Sequence, residues 1–231
     1  MKKSKAIILS LMIFISWWII VNISMYLGAS INLSINGIGG EGEKFILYYY
    51  LLVLLITVII YLIIITLFFK EKDNRKIYIK MLKININKSS LIYLFILALG
   101  VVLGYIIWGE LYGVSKLRYI YSIQPPIVEE ILFRGLILSI LSKAFSKNAS
   151  IIISSVLFGF IHIMLSPINV IGTIFIGIIY CIIVIRTNSI LPTIFMHYIQ
   201  GINLYQLILG LGGICIYEKI RYFTKNKSIS M

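Results

Sequence analysis

The chain has 231 residues, 60% of them hydrophobic and 13% charged, with a mean hydropathy of +1.02. Soluble domains carry about 45–50% apolar and about 25% charged residues, so these totals exclude a soluble globular protein and indicate a polytopic membrane protein. The net charge of +13 does not point to nucleic acid, because the basic residues bracket apolar runs and form no patch interleaved with aromatics.

In chain order, the first apolar run covers 6–28. It follows a basic start as a signal peptide would, and Gly28-Ala29-Ser30 resembles a cleavage site. The run exceeds the usual length of about 7–15 residues, so a retained span is expected. No cysteine follows Gly28-Ala29, so no lipoprotein anchor is expected. A polar loop with Asn36, Gly37, Glu41 and Glu43 leads to a second span, 45–69, and then to a basic linker, 70–88. A third span covers 90–109, and the stretch 110–124, with Glu110, Lys116 and Arg118, is less apolar. The fourth, fifth and sixth spans are 126–142, 149–165 and 168–185. A seventh starts near Ile190, and a short eighth is expected after Gly210, Gly212 and Gly213. The alternative for 190–218 is one kinked helix and a re-entrant piece.

With the N-terminus in the cytoplasm, 17 of the 21 Lys and Arg fall in cytoplasmic segments. Lys44, Lys116 and Arg118 fall outside, and Arg134 lies within a span. This asymmetry predicts an all-α, polytopic transmembrane helical bundle of about eight spans, with both termini inside. Residues 1–88 form two leading spans and the linker; residues 89–231 form a second membrane domain. Trp17-Trp18 and Tyr48-Tyr49-Tyr50 read as interfacial or lipid-facing aromatics. Gly172 and Gly177 read as close-packing positions. Cys181 and Cys215, in apolar segments, read as small core residues with no disulfide and no bound metal.

The stretch Q-P-P-I-V-E-E-I-L-F-R-G, 124–135, places three charges inside an apolar run. An ionisable group at membrane depth costs several kcal/mol by most estimates, about 3 on insertion scales, and so marks a candidate site. Pro125 and Pro126 suit a helix start, where missing N–H groups matter least. Glu130 and Arg134 are four apart and share a helical face, so they can pair. Glu129 points about 100° away and has no local partner. One glutamate held by arginine and one free is what a general base requires, while a structural ion pair and ion coupling remain as alternatives. The two histidines of the chain, His162 and His197, also lie in apolar spans. Buried polar groups in lipid need partners, and these four residues are candidates for one another. Two imidazoles and a carboxylate would also suit zinc with an open position, although no H-E-x-x-H occurs.

Three motifs, each in its own span, carry a resemblance. They are E-E-x-x-x-R at Glu129, Glu130 and Arg134, F-x-x-x-H at Phe158 to His162, and a histidine, His197, following Thr187-Asn188-Ser189-Ile190. In this order they resemble the CPBP family of intramembrane proteases, the CAAX protease and bacteriocin-processing family. The motifs cover 125 to about 203, which makes 89–231 the catalytic membrane domain. The resemblance implies an endopeptidase acting on a membrane-associated peptide or protein, with Glu129 activating water and Glu130 and Arg134 holding the site together. It implies that His162 and His197 position the water, or a Zn2+ ion if one is used, and stabilise the oxyanion; a metal-free glutamate mechanism stays open. The family has Asn or Asp four residues after the last histidine, where this chain has Gly201. Gln200 and Asn203 are the candidate substitutes. A non-catalytic bacteriocin self-immunity protein on the same scaffold is the main alternative, and a proton-coupled transporter the third. The Ile, Lys and Asn bias suggests an AT-rich bacterial genome, which favours a peptide or bacteriocin-type substrate over a prenylated one.

Overall fold

The computed structural model describes residues 1–36, 45, 48–49, 51–57, 59, 84–108, 122–163, 167–202 and 204–227. The fold is all-α. Helix α1 (Lys3–Asn36) is apolar around its whole circumference. Its 34 residues extend about 51 Å at about 1.5 Å per residue, well beyond a hydrocarbon core of about 30 Å. The buried hydroxyls of Ser10 and Ser24 have no partner among the described residues. Three other serines are satisfied within the helix, Ser16 Oγ donating to the Ile13 carbonyl at 2.7 Å, Ser30 Oγ to that of Tyr26 at 3.0 Å and Ser34 Oγ to that of Ser30 at 2.8 Å. That is the economical way to carry a hydroxyl where no water reaches.

Helix α2 (Lys88–Trp108) begins at a reciprocal cap. Ser90 N donates to Asn87 Oδ1 at 3.0 Å and Asn87 N to Ser90 Oγ at 2.9 Å, which satisfies donors that the first turn leaves free. Helix α3 is a composite rod. It runs from α-helical Gln124–Glu130 through π-helical Ile131–Ile137 into α-helical Leu138–Leu141. Helix α4 (Lys147–Phe160) starts at the Ser146 cap. Helix α5 (Pro167–Thr187) starts at a proline and stops at Asn188, whose φ of 50° is the left-handed exit common at helix ends. Helices α6 (Leu191–Ile202) and α7 (Leu204–Lys227) complete the fold.

Helix α3 is the axis of the bundle. On one side Val128, Leu132, Leu136 and Ile137 pack with Ala6, Ile13 and Trp17 of α1 and Phe158 of α4. On another, Leu138 packs with Ile151, Cys181, Val184 and Ile190. A separate cluster joins α2, α5, α6 and α7 through Tyr93, Leu97, Tyr180, Met196 and Leu207. The outer faces of α1, α2 and α5 expose large apolar side chains such as Ile8, Phe95 and Phe175, as a lipid-facing surface requires. Among the described residues, α1, α2 and α5 are long and apolar enough to cross a bilayer.

Glycines set the closest crossing. A Cβ added to Gly100 of α2 would lie 2.6 Å from the backbone nitrogen of Gly210 in α7, so only glycine lets these backbones meet. Gly177 of α5 likewise abuts Ser155 of α4, where a Cβ would fall 3.1 Å from the serine side chain.

Several expectations change. The eighth helix starts at Leu204, and Gly210, Gly212 and Gly213 lie inside it rather than before it. It has 24 residues and is not short. The expected fifth span is a helix of only 14 residues, because the backbone turns at 161–163. Gly172 meets nothing within 4 Å and so is not a packing position. Cys215 is exposed on α7, whereas Cys181 is buried; both are free thiols. Trp17 is core rather than interfacial. Most of the 45–69 span, Tyr50 and the linker before residue 84 lie outside the described residues.

Candidate active site

The prolines in the first turn of α3 start the helix, and Glu129 and Glu130 follow one turn on. Glu130 and Arg134 are fully buried and paired, Arg134 Nη1 donating to Glu130 Oε1 at 2.9 Å. Immediately after Glu130 the helix widens. The Phe133 carbonyl accepts the amide of Leu138, five residues on, and also Ser154 Oγ of α4 at 3.1 Å. Such π-helical turns occur frequently at functional sites.

Arg134 Nε and Nη2 are buried and hydrogen-bonded to no side chain or backbone atom. Aromatic faces surround the guanidinium instead. Its carbon lies 4.0 Å from the Phe158 ring centre and 5.2 Å from that of Tyr180. Desolvated cation–π contact contributes about 2 kcal/mol and compensates in part for the unpaired N–H groups.

His197, from α6, closes over this pair. Its Nδ1 lies 3.2 Å from Glu130 Oε1. A carboxylate oxygen only accepts, so Nδ1 carries the proton. Its Nε2 lies 3.7 Å from Glu129 Oε2, beyond hydrogen-bond reach. His162, just past α4, has Nδ1 3.1 Å from the Phe158 carbonyl, so Nδ1 again donates and the Nε2 lone pair is free. The Phe158 ring stands edge-on to both imidazoles, 5.3 Å from His162 and 5.8 Å from His197. The motif phenylalanine thus spaces the two histidines and caps the arginine.

The structure brings Glu129, Glu130, Arg134 and His197 together directly. His162 joins them through Phe158 and through a cavity of about 560 Å³ that it lines with Glu129. The remaining wall includes Trp17, Trp18 and Asn22 of α1, together with Tyr49 and Gln124. Gln200 is engaged by α5 instead, its Oε1 accepting from the Tyr180 hydroxyl at 2.8 Å. Asn203 lies outside the described residues. Gly201 is exposed, and a Cβ there would meet nothing within 4 Å.

Tyr180, Gln124 and the α1 aromatics were not read from the sequence as site residues. A tyrosine or tryptophan in an apolar helix carries no periodic signal that separates a site from ordinary packing. Gln124 stands at the head of the stretch 124–135, ahead of its charges.

Two imidazoles whose Nδ1 atoms are held by a carboxylate and a carbonyl have the supporting contacts typical of metal-binding histidines. Among the described residues, however, no three His, Cys, Asp or Glu side chains assemble as a ligand set. The arrangement therefore does not fit zinc as it stands.

Neither the curated proteins nor the solved structures contain a match to this chain. Residues 116–202 match the family model described as Type II CAAX prenyl endopeptidase Rce1-like, which supports over that segment the resemblance to the CPBP, or CAAX protease, family.

Proposed function

We propose that this protein is an intramembrane endopeptidase in which Glu129 is the general base. The observation that carries the reading is the state of its carboxylate. Glu129 lines the cavity, yet its Oε2 makes no hydrogen bond and sits 3.7 Å from His197 Nε2. A water drawn in from the cavity to about 2.8 Å from each atom would bridge them. Glu129 takes a proton from that water as its oxygen attacks the scissile carbonyl carbon. The lone pair on His197 Nε2 accepts a hydrogen bond from the attacking water and orients it. Glu129 then delivers its proton to the leaving nitrogen, the C–N bond breaks, and a carboxyl and an amine terminus leave. Glu130 and Arg134 act by holding His197. His162 Nε2 faces the substrate as a second polar contact.

The substrate is a membrane-associated peptide or protein, and the bacteriocin-type class is preferred from the composition. The termini lie in the cytoplasm by the distribution of basic residues. A non-catalytic immunity role is favoured by one observation, Gly201 in place of the family carboxamide.

The test compares membranes containing wild type with membranes containing Glu129→Gln, incubated with a peptide and membrane-proteome mixture. Mass spectrometry of new termini should show cleavage falling about 10²–10⁴-fold in the variant, the usual contribution of a general base. Equal termini in both would remove Glu129 from the reaction, and no termini in either would favour the immunity role. A parallel arm with a zinc chelator decides the metal: loss of cleavage restored by added zinc establishes it.

A further inference from the structure

We propose that Gln124 is a substrate-positioning residue, whose side-chain amide holds a backbone carbonyl of an extended peptide about two residues from the bond to be cut. The proposal rests on the protease reading above. Gln124 lines the cavity together with Glu129 and His162, and its Nε2 is shielded from solvent and has no hydrogen-bond partner among the described residues, a donor that a small side-chain rotation can present to a peptide. The other carboxamide in that wall is committed elsewhere, Asn22 Nδ2 donating to the Trp18 carbonyl at 2.7 Å. The backbone offers little in its place, because Pro125 and Pro126 remove two N–H groups from the start of α3. Gln124 is therefore the donor that this end of the cavity supplies.

The spacing sets what it would hold. Five residues separate Gln124 from Glu129, roughly 7.5 Å along the helix axis. An extended chain covers that distance in about two residues. A peptide with its scissile carbonyl at Glu129 thus brings a second carbonyl to Gln124. The cavity volume of about 560 Å³ lies within the about 300–1,000 Å³ usual for ligand sites. Trp17, Trp18 and Tyr49 give the cavity an aromatic surface, which selects a bulky apolar side chain between the two held carbonyls.

The experiment measures binding apart from turnover. The probe is a synthetic octapeptide of alternating leucine and alanine with a photoreactive leucine at its centre, titrated onto full-length Glu129→Gln protein in nanodiscs. Adding Gln124→Leu should weaken saturable labelling about three- to tenfold, as expected for one neutral hydrogen bond. A thioamide two residues from the photoreactive leucine, a poorer acceptor, should weaken labelling of the parent similarly and should cost nothing further in Gln124→Leu. Equal affinity of parent and Gln124→Leu, an undiminished thioamide effect in the variant, or labelling that avoids the cavity wall would each overturn the proposal. If Gln124→Leu lowers the melting temperature, Gln124→Met gives the same readout. Wild-type protein on the same peptide separates the two ideas. Binding that depends on Gln124 without cleavage sinks the protease and keeps the grip; cleavage with Gln124-independent binding does the reverse.

Discussion

Arg134 is the residue on which most of the site depends. It is fully buried, pairs with Glu130, and lies against Phe158 and Tyr180. Removing one partner of a buried pair strands the other charge, so Arg134→Ala should cost about 3–5 kcal/mol, read by thermal unfolding in detergent. Arg134→Lys should not rescue it, because an ammonium cannot lie flat between two rings. Tyr180→Phe should cost less, about 0.5–1.5 kcal/mol, and release Gln200. Gly201→Asn should fold like wild type, since a side chain there meets open space. Higher cleavage in that variant would show that the family carboxamide still has a task to perform here. The charged residues of the site were legible in the sequence, since charge at membrane depth needs a reason and the spacing of Glu130 and Arg134 named the pair. The partners of Gln200 were not. Helical periodicity places it on the face of His197, but only packing shows that Tyr180 of α5 reaches it first.

The helices divide into those whose ends the sequence marked and those set by packing. Asn87, Pro125, Ser146 and Pro167 stand at four starts, and the helices begin at Lys88, Gln124, Lys147 and Pro167, each within two residues of the expected boundary. The π-helical turn at Ile131–Ile137 had no such mark, because Ile-Leu-Phe-Arg-Gly-Leu-Ile reads as an ordinary apolar helix. The start of α7 was misplaced for a related reason. Gly210 looked like a breaker, but it serves the crossing with Gly100. Gly210→Leu should therefore lower stability by about 1–3 kcal/mol, the usual cost of overpacking, whereas Gly212→Ala, whose added carbon meets nothing within 4 Å, should be neutral or slightly stabilising. Thermal unfolding of both variants in one detergent checks the contrast.

Across the whole bundle, one side gathers the polar fastenings. Glu218 of α7 accepts from Tyr93 of α2 at 2.6 Å and from Arg186 of α5 at 2.5 Å. Asn87 Nδ2 donates to the Thr187 carbonyl at 2.7 Å, and Lys3 lies 5.8 Å from the Phe145 ring. In the proposed topology this side faces the cytoplasm. Cysteines introduced at Lys3 and Lys147 should then react with an impermeant maleimide from the cytoplasmic face, and one at Asn36 from the opposite face; labelling of all three from one face would overturn the topology. The first helix was the least informative part of the sequence, yet it closes the cavity. Two of the three tryptophans in the chain, Trp17 and Trp18, stand in that wall. The protein thus carries its own optical reporter: whatever enters the cavity changes the surroundings of the indole rings, and emission of the unlabelled purified protein in lipid bilayers can follow arrival and release in real time.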